Sequence, residues 1–107
     1  HNPGSNMVLG NGIADMRAML DAGVNVGIGT DGASCSDNQN MYENVRMASM
    51  VSKVQGPDNR RWIRTEEVLH AATAGSARAL GLGDRIGKLE PGYKADIVFL
   101  DLGHINW

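Results

Sequence analysis

The sequence has a single cysteine, Cys35, so no intrachain disulfide can form and a disulfide-stapled secreted domain is excluded. The cytoplasm, a reducing compartment, is the expected location. An excess of charge of either sign is also missing: 10 Lys and Arg against 12 Asp and Glu leave a formal net charge of -2. That field is too weak to gather phosphate backbones or an anionic membrane surface, so neither nucleic acid nor a membrane is an expected partner. There is no uninterrupted apolar run of the roughly 18 residues that a bilayer demands. No charged segment precedes an apolar one in the manner of a signal peptide, and no internal repeat or low-complexity stretch is present. The opening residues, His1-Asn2-Pro3-Gly4-Ser5-Asn6, are polar and turn-rich. They read as a loop from the interior of a fold, so the chain is expected to begin mid-fold.

What is present has a globular balance, with 42% hydrophobic and 21% charged residues in 107. Two features weigh against folding alone: a chain this short buries a limited fraction of its surface, and 14 glycines raise the backbone entropy to be overcome. From Asn11, a candidate N-cap, Ile13, Met16, Met19 and Leu20 recur at helical offsets, with Gly23 as the stop. Val24-Asn25-Val26-Gly27-Ile28-Gly29 then reads as a buried strand. A polar loop of small residues, Thr30 to Gln39, follows at the strand's C-terminal end, where α/β folds place their ligands. Asn40 with Glu43 has capping-box spacing, and Met41, Val45, Ala48, Val51 and Val54 predict a helix of about four turns. The methionines at 41, 47 and 50 read as core filler.

Gly56-Pro57-Asp58-Asn59 predicts a turn, and Thr65 with Glu66 and Glu67 a helix start. The basic run Arg60-Arg61-Trp62-Ile63-Arg64, flanked by Asp58, Glu66 and Glu67, reads as a solvated loop. Ala71, Ala72, Ala74, Ala77 and Ala79 predict close helix packing, and His70 among them reads as a packed or surface residue. Gly81-Leu82-Gly83 stops the helices, and Ala95 to Asp101 predicts a second strand. The boundary near residue 83 is the one candidate domain junction.

Two motifs bear on chemistry. Gly27-Ile28-Gly29-Thr30-Asp31-Gly32 matches G-x-G-x-x-G literally, but its first two glycines fall within the strand, a loop delays the helix, and Ser52-Lys53 stand where a ribose-binding acid belongs. Dinucleotide binding is therefore rejected. Asp31 directly follows the buried strand, and Gly32 beside it permits a sharp reversal. That placement suits a metal ligand or general base, while composition alone favours an Asx-turn or a capping aspartate.

Three blocks settle the preference by resemblance: His1-Asn2-Pro3-x-Ser5-Asn6, then Asp21-Ala22-Gly23-Val24-x-Val26-x-Ile28-Gly29-Thr30-Asp31-Gly32, then Gly87-x-Leu89-x-Pro91-Gly92-x-Lys94-Ala95-Asp96-Ile97-Val98. In this order they resemble the amidohydrolase superfamily, in its cytosine, guanine and adenosylhomocysteine deaminase and triazine chlorohydrolase branch. The resemblance implies an α/β fold in which residues 1–83 are the C-terminal part of a (β/α)8 barrel: His1 closing strand seven, Ile13 to Ala22 the next helix, Val24 to Thr30 strand eight. Residues 84–107 would return into a small β-rich domain.

It further implies a metal-dependent hydrolase acting on C–N bonds, deaminating a purine, pyrimidine or related amino-heterocycle. Asp31 would be both metal ligand and catalytic acid–base, and His1 and Asn6 would line the substrate pocket. One divalent metal is implied, zinc first and iron second. Its site is incomplete here, because the family's metal-binding histidines and its proton-donating glutamate have no counterpart, and His1, His70 and His104 do not replace them. The implied partners are the missing N-terminal barrel half and, through exposed strand edges, further copies of the chain in a homo-oligomer. A non-catalytic, self-associating piece is the alternative. The loop Ser34-Cys35-Ser36-Asp37-Asn38 departs from the Asn-rich loop of that branch and leaves the substrate open.

Overall fold

The computed structural model describes residues 1–103 as a set of helices joined by turns and extended loops. The helices are α1 (Pro3–Leu9), α2 (Met16–Asp21), α3 (Ala33–Ser36), α4 (Met41–Val54), α5 (Thr65–His70) and α6 (Ser76–Ala79). A 3-10 turn at Asn59–Arg61 precedes α5, and a π-helical stretch, Ala71–Gly75, joins α5 to α6. α1 packs on α3 and α4, and α4 on α5.

Local chemistry accounts for these boundaries. Pro3 opens α1, where its missing N–H costs nothing, and Gly10, at φ 69°, closes it in the left-handed region. Asp15, rather than Asn11, caps α2 by accepting from the Ala18 N–H at 2.9 Å, so the helix starts later than the apolar spacing predicts. Gly23 ends it at φ 76°, as expected. Asn40 caps α4 through its Oδ1 to the Glu43 N–H, 3.2 Å. The Glu43 carboxylate turns instead to Asn38 Nδ2, at 2.7 Å.

The core gathers Met16, Val26, Ile28, Ala48, Ile63, Val68 and Ala71. Ala71, Ala74 and Ala77 are buried as the alanine spacing predicts, and Gly87 lies where any Cβ would meet Ala74 and Ala77 within about 3 Å. Met41 and Met50 are exposed, so the methionine filling the core is Met16. Arg60 lies against Asp58 at 2.9 Å, and Ile63 turns inward from the basic run into the core.

The expected α/β fold, the end of a (β/α)8 barrel followed by a β-rich domain, is not what the structure has: among the described residues there is no strand. The reason lies in the ladder rather than in the side chains. Val24 to Thr30 is extended, and Val26 and Ile28 are buried while Gly27 and Gly29 are less so, a period of two. Its backbone, however, is met on one edge by His1 alone: the terminal amine donates to Gly27 O at 2.7 Å and Gly29 N–H donates to His1 O at 3.1 Å. On the other edge the Ser76 hydroxyl accepts from Ile28 N–H at 3.0 Å, its own proton lying between Ala71 O at 2.9 Å and Ile28 O at 3.2 Å, and so takes the place of a neighbouring strand.

Ala95 to Asp101, the other expected strand, is extended and exposed, with Val98 at 84% and Phe99 at 89% of full accessibility. Apolar residues without a facing layer form no sheet. No described helix is long and apolar enough to cross a membrane. His104 lies outside the described residues.

Candidate active site around Asp31

The extended segment carries Asp31 out of the core to the surface, where the chain reverses. The reversal falls on Asp31 itself, at φ 62°, and not on Gly32, whose φ is an ordinary -74°. Aspartate is among the few L-residues that tolerate this left-handed region. Helix α3 then opens directly after Gly32 as a single turn of four residues, where a longer irregular loop was expected.

Both carboxylate oxygens of Asp31 are held. Ser5 Oγ donates to Oδ2 at 2.7 Å, and the Gly32 N–H donates to Oδ1 at 2.8 Å. The Ser5 hydroxyl first, and the Gly32 amide second, hold the Asp31 carboxyl below the usual carboxylate range, with burial opposing them weakly. An exposed, ionised carboxylate oriented from two sides is equipped to bind a cation or to accept a proton.

Ser5 is 1% exposed and sits in the first half of α1. The neighbouring Gly4 N–H, one of the unpaired donors of a helix start, is met by Asn44 Oδ1 from α4 at 3.2 Å, and Asn44 is itself 1% exposed. Ser5 was visible in the opening block without an assigned part. Asn44 carried no sequence signal, because its partner lies 40 residues away. Gly29 lies close under Asn2: a Cβ there would stand 2.6 Å from Asn2 Oδ1 and would displace that side chain.

The other site candidates are distributed unevenly. His1 adjoins the extended segment through its backbone, and both of its imidazole nitrogens are buried without a hydrogen-bond partner among the described residues. Asn6 follows Ser5 in α1; its backbone carbonyl accepts from Asn11 N–H at 3.0 Å, which engages it in closing the helix. His70 is exposed and lines a cleft of about 580 Å³ with Arg17, Val24, Glu67 and Arg78, at the opposite end of the extended segment from Asp31.

As a metal site, the described residues supply the Asp31 carboxylate and no more: no group of three or more His, Cys, Asp or Glu side chains converges among them. A catalytic zinc takes three protein ligands and a water. The described residues therefore do not hold such an ion by themselves, although a hard, ionised carboxylate is the right chemistry for one member of the set.

The amidohydrolase family model matches residues 1–106. The chain is 53% identical over 98 residues to the 5-methylthioadenosine/S-adenosylhomocysteine deaminase of Desulforudis audaxviator, an alignment covering 92% of this chain and 23% of that protein. Among solved structures it is similar to an adenosine deaminase from Xanthomonas campestris with bound zinc, at a TM-score of 0.85 and 41% identity, covering 90% of this chain and 22% of the other. It is also similar to the atrazine chlorohydrolase of Arthrobacter aurescens TC1 complexed with zinc, at a TM-score of 0.83 and 36% identity, covering 89% and 21%. The chain thus spans about a quarter of the length of its relatives. With nearly its whole length matched by the family model, the chain belongs to the amidohydrolase family.

Proposed function

We propose that this chain contributes Asp31 to the catalytic centre of a metal-dependent hydrolase that breaks C–N bonds other than peptide bonds and deaminates a purine, pyrimidine or related amino-heterocycle. The observation that carries the reading is the Asp31 carboxylate, held ionised and exposed by Ser5 and Gly32 at the end of a buried extended segment. In this role Asp31 takes a proton from the attacking water and returns one to the leaving amine. When bound, a divalent ion would lower the pKa of that water. We take zinc as that ion, since two similar structures carry zinc, with iron as the second choice.

Its remaining ligands would come from a longer polypeptide, and the chain by itself is expected to be inactive. His1, whose imidazole nitrogens have no hydrogen-bond partner among the described residues, and Asn6 are proposed pocket residues. The names of the relatives make an adenosine-type ring the first substrate to try. The division at residue 83 belongs to the same reading: residues 1–83 carry the site, and a second, smaller domain begins beyond it. So does a cytoplasmic location, which the free Cys35 thiol supports.

The test is bound metal together with ammonia release from 5-methylthioadenosine, S-adenosylhomocysteine, guanine and cytosine, for the full-length polypeptide and for this chain. Metal and turnover in the former alone is the expected result; turnover by the isolated chain would overturn the division of ligands.

One observation favours a second reading, self-association without catalysis. Leu80, Leu89, Val98 and Phe99 are all exposed, apolar side chains that association with another copy would cover. Sedimentation velocity decides it, because a monodisperse monomer excludes the homo-oligomer.

A further inference from the structure

We propose that Ser5 is the positioning residue of Asp31: its hydroxyl, 2.7 Å from Oδ2, fixes the plane of the carboxylate so that its remaining lone pairs face the reacting water. The inference rests on the reading of Asp31 as the proton-transferring base, and extends it to a residue in a different helix.

The argument begins with the freedom Asp31 would otherwise have. It is exposed and stands in the left-handed region, so packing within this chain does not set its side-chain torsions. The Gly32 amide holds Oδ1 from the adjoining residue, which leaves the carboxylate able to swing about that one contact. A second donor, reaching the other oxygen from outside the loop, removes that freedom. Ser5 is such a donor, and its bond has the short length of a hydroxyl donating to an ionised carboxylate.

Ser5 is itself immobilised. It is 1% exposed within α1, and α1 is tied at the adjacent residue to α4 through Gly4 N–H and Asn44 Oδ1. A Cβ on Gly4 would already meet that oxygen at 3.0 Å, so α1 and the Asn44 side chain approach closely there. Asn44, Gly4, Ser5 and Asp31 therefore form a rigid path from the long helix α4 to the carboxylate. Catalytic groups need placement within a fraction of an ångström, and fixed supporting contacts of this kind provide it.

The test uses Ser5→Ala, Ser5→Cys and Ser5→Thr in the full-length polypeptide, with Asp31→Asn in parallel. Readouts are kcat and KM on 5-methylthioadenosine and S-adenosylhomocysteine, bound zinc, the thermal midpoint, and the crystallographic rotamer of Asp31. Loss of one charge-assisted hydrogen bond in the transition state predicts a roughly 10- to 100-fold fall in kcat for Ser5→Ala, with KM changed by less than about threefold. Asp31 then occupies more than one rotamer, while the thermal midpoint stays near that of the wild type. Ser5→Thr, which keeps the hydroxyl, retains most of kcat. Ser5→Cys, somewhat larger and a poor donor, falls with Ser5→Ala and decides the matter should the alanine variant not fold. Unchanged kcat in Ser5→Ala or Ser5→Cys alongside an inactive Asp31→Asn would overturn the positioning role alone. Full activity in Asp31→Asn would instead overturn the reading of Asp31 on which it rests.

Discussion

Replacing Asn44 by alanine tests whether the path that supports the site is real. Asn44 is 1% exposed and makes two hydrogen bonds of 3.2 Å, accepting from Gly4 N–H at the start of α1 and donating through Nδ2 to Asn40 O in its own helix. Truncation leaves the Gly4 N–H without its partner in a buried position, which costs about 1–3 kcal/mol. The vacated side-chain volume adds about 1 kcal/mol, since buried sites collapse only partly. The sum, about 2–4 kcal/mol, is a large share of the roughly 5–15 kcal/mol that holds an ordinary domain. Urea unfolding followed by circular dichroism measures it as a lower midpoint at unchanged slope. Amide exchange provides the location: Gly4 to Leu9 should lose protection before the core around Ala48 and Val51 does. A variant within about 0.5 kcal/mol of the wild type, the range of ordinary surface substitutions, would refute the claim that α1 is pinned through this side chain.

Further outcomes follow from the same geometry. Gly75→Ala places a Cβ 2.6 Å from the Val26 carbonyl oxygen, backbone against backbone, so a loss of about 2–3 kcal/mol in thermal or urea unfolding is expected. Glu67 responds to pH. Burial pushes its carboxyl up, but hydrogen bonds from Arg17 and from the Arg64 N–H outweigh that and leave it below its ordinary value of 4.5. A carboxylate depressed in the folded state adds stability above 4.5 and loses it as pH falls through the folded value. Glu67→Gln should accordingly cost about 1–2 kcal/mol at pH 7, and the gap from the wild type should close below pH 4.5. A gap independent of pH between 7 and 3 would contradict this.

The parts of the molecule legible in its sequence are those determined locally. Asn40 and Glu43 mark the start of α4, and Gly23 the end of α2, because caps and left-handed stops depend on residues a few positions apart. Ala71, Ala74 and Ala77 announce close packing for the same reason. Helix α1 was hidden: His1 to Asn6 has the composition of a turn, and Pro3 at the first helical position was the signal that could have exposed it. The expected strands failed because a ladder needs a neighbour; Val26 and Ile28 bury as a strand's residues do while Ser76 occupies the edge. Asp31 stood out by its place after a buried segment. Its partner Ser5 and the brace Asn44 did not, since the fold brings them together across 26 and 40 residues.

The most direct test of the central claim compares the full-length polypeptide with its Asp31→Asn variant for bound zinc and for ammonia release from S-adenosylhomocysteine. Asparagine keeps the size of the side chain and removes its charge and its capacity to take a proton. The account predicts zinc and turnover in the wild type and a loss of turnover of at least about a thousandfold in the variant, as expected when a proton-transferring group is removed. Turnover that survives the substitution, or a wild-type polypeptide that neither binds metal nor releases ammonia, would contradict it.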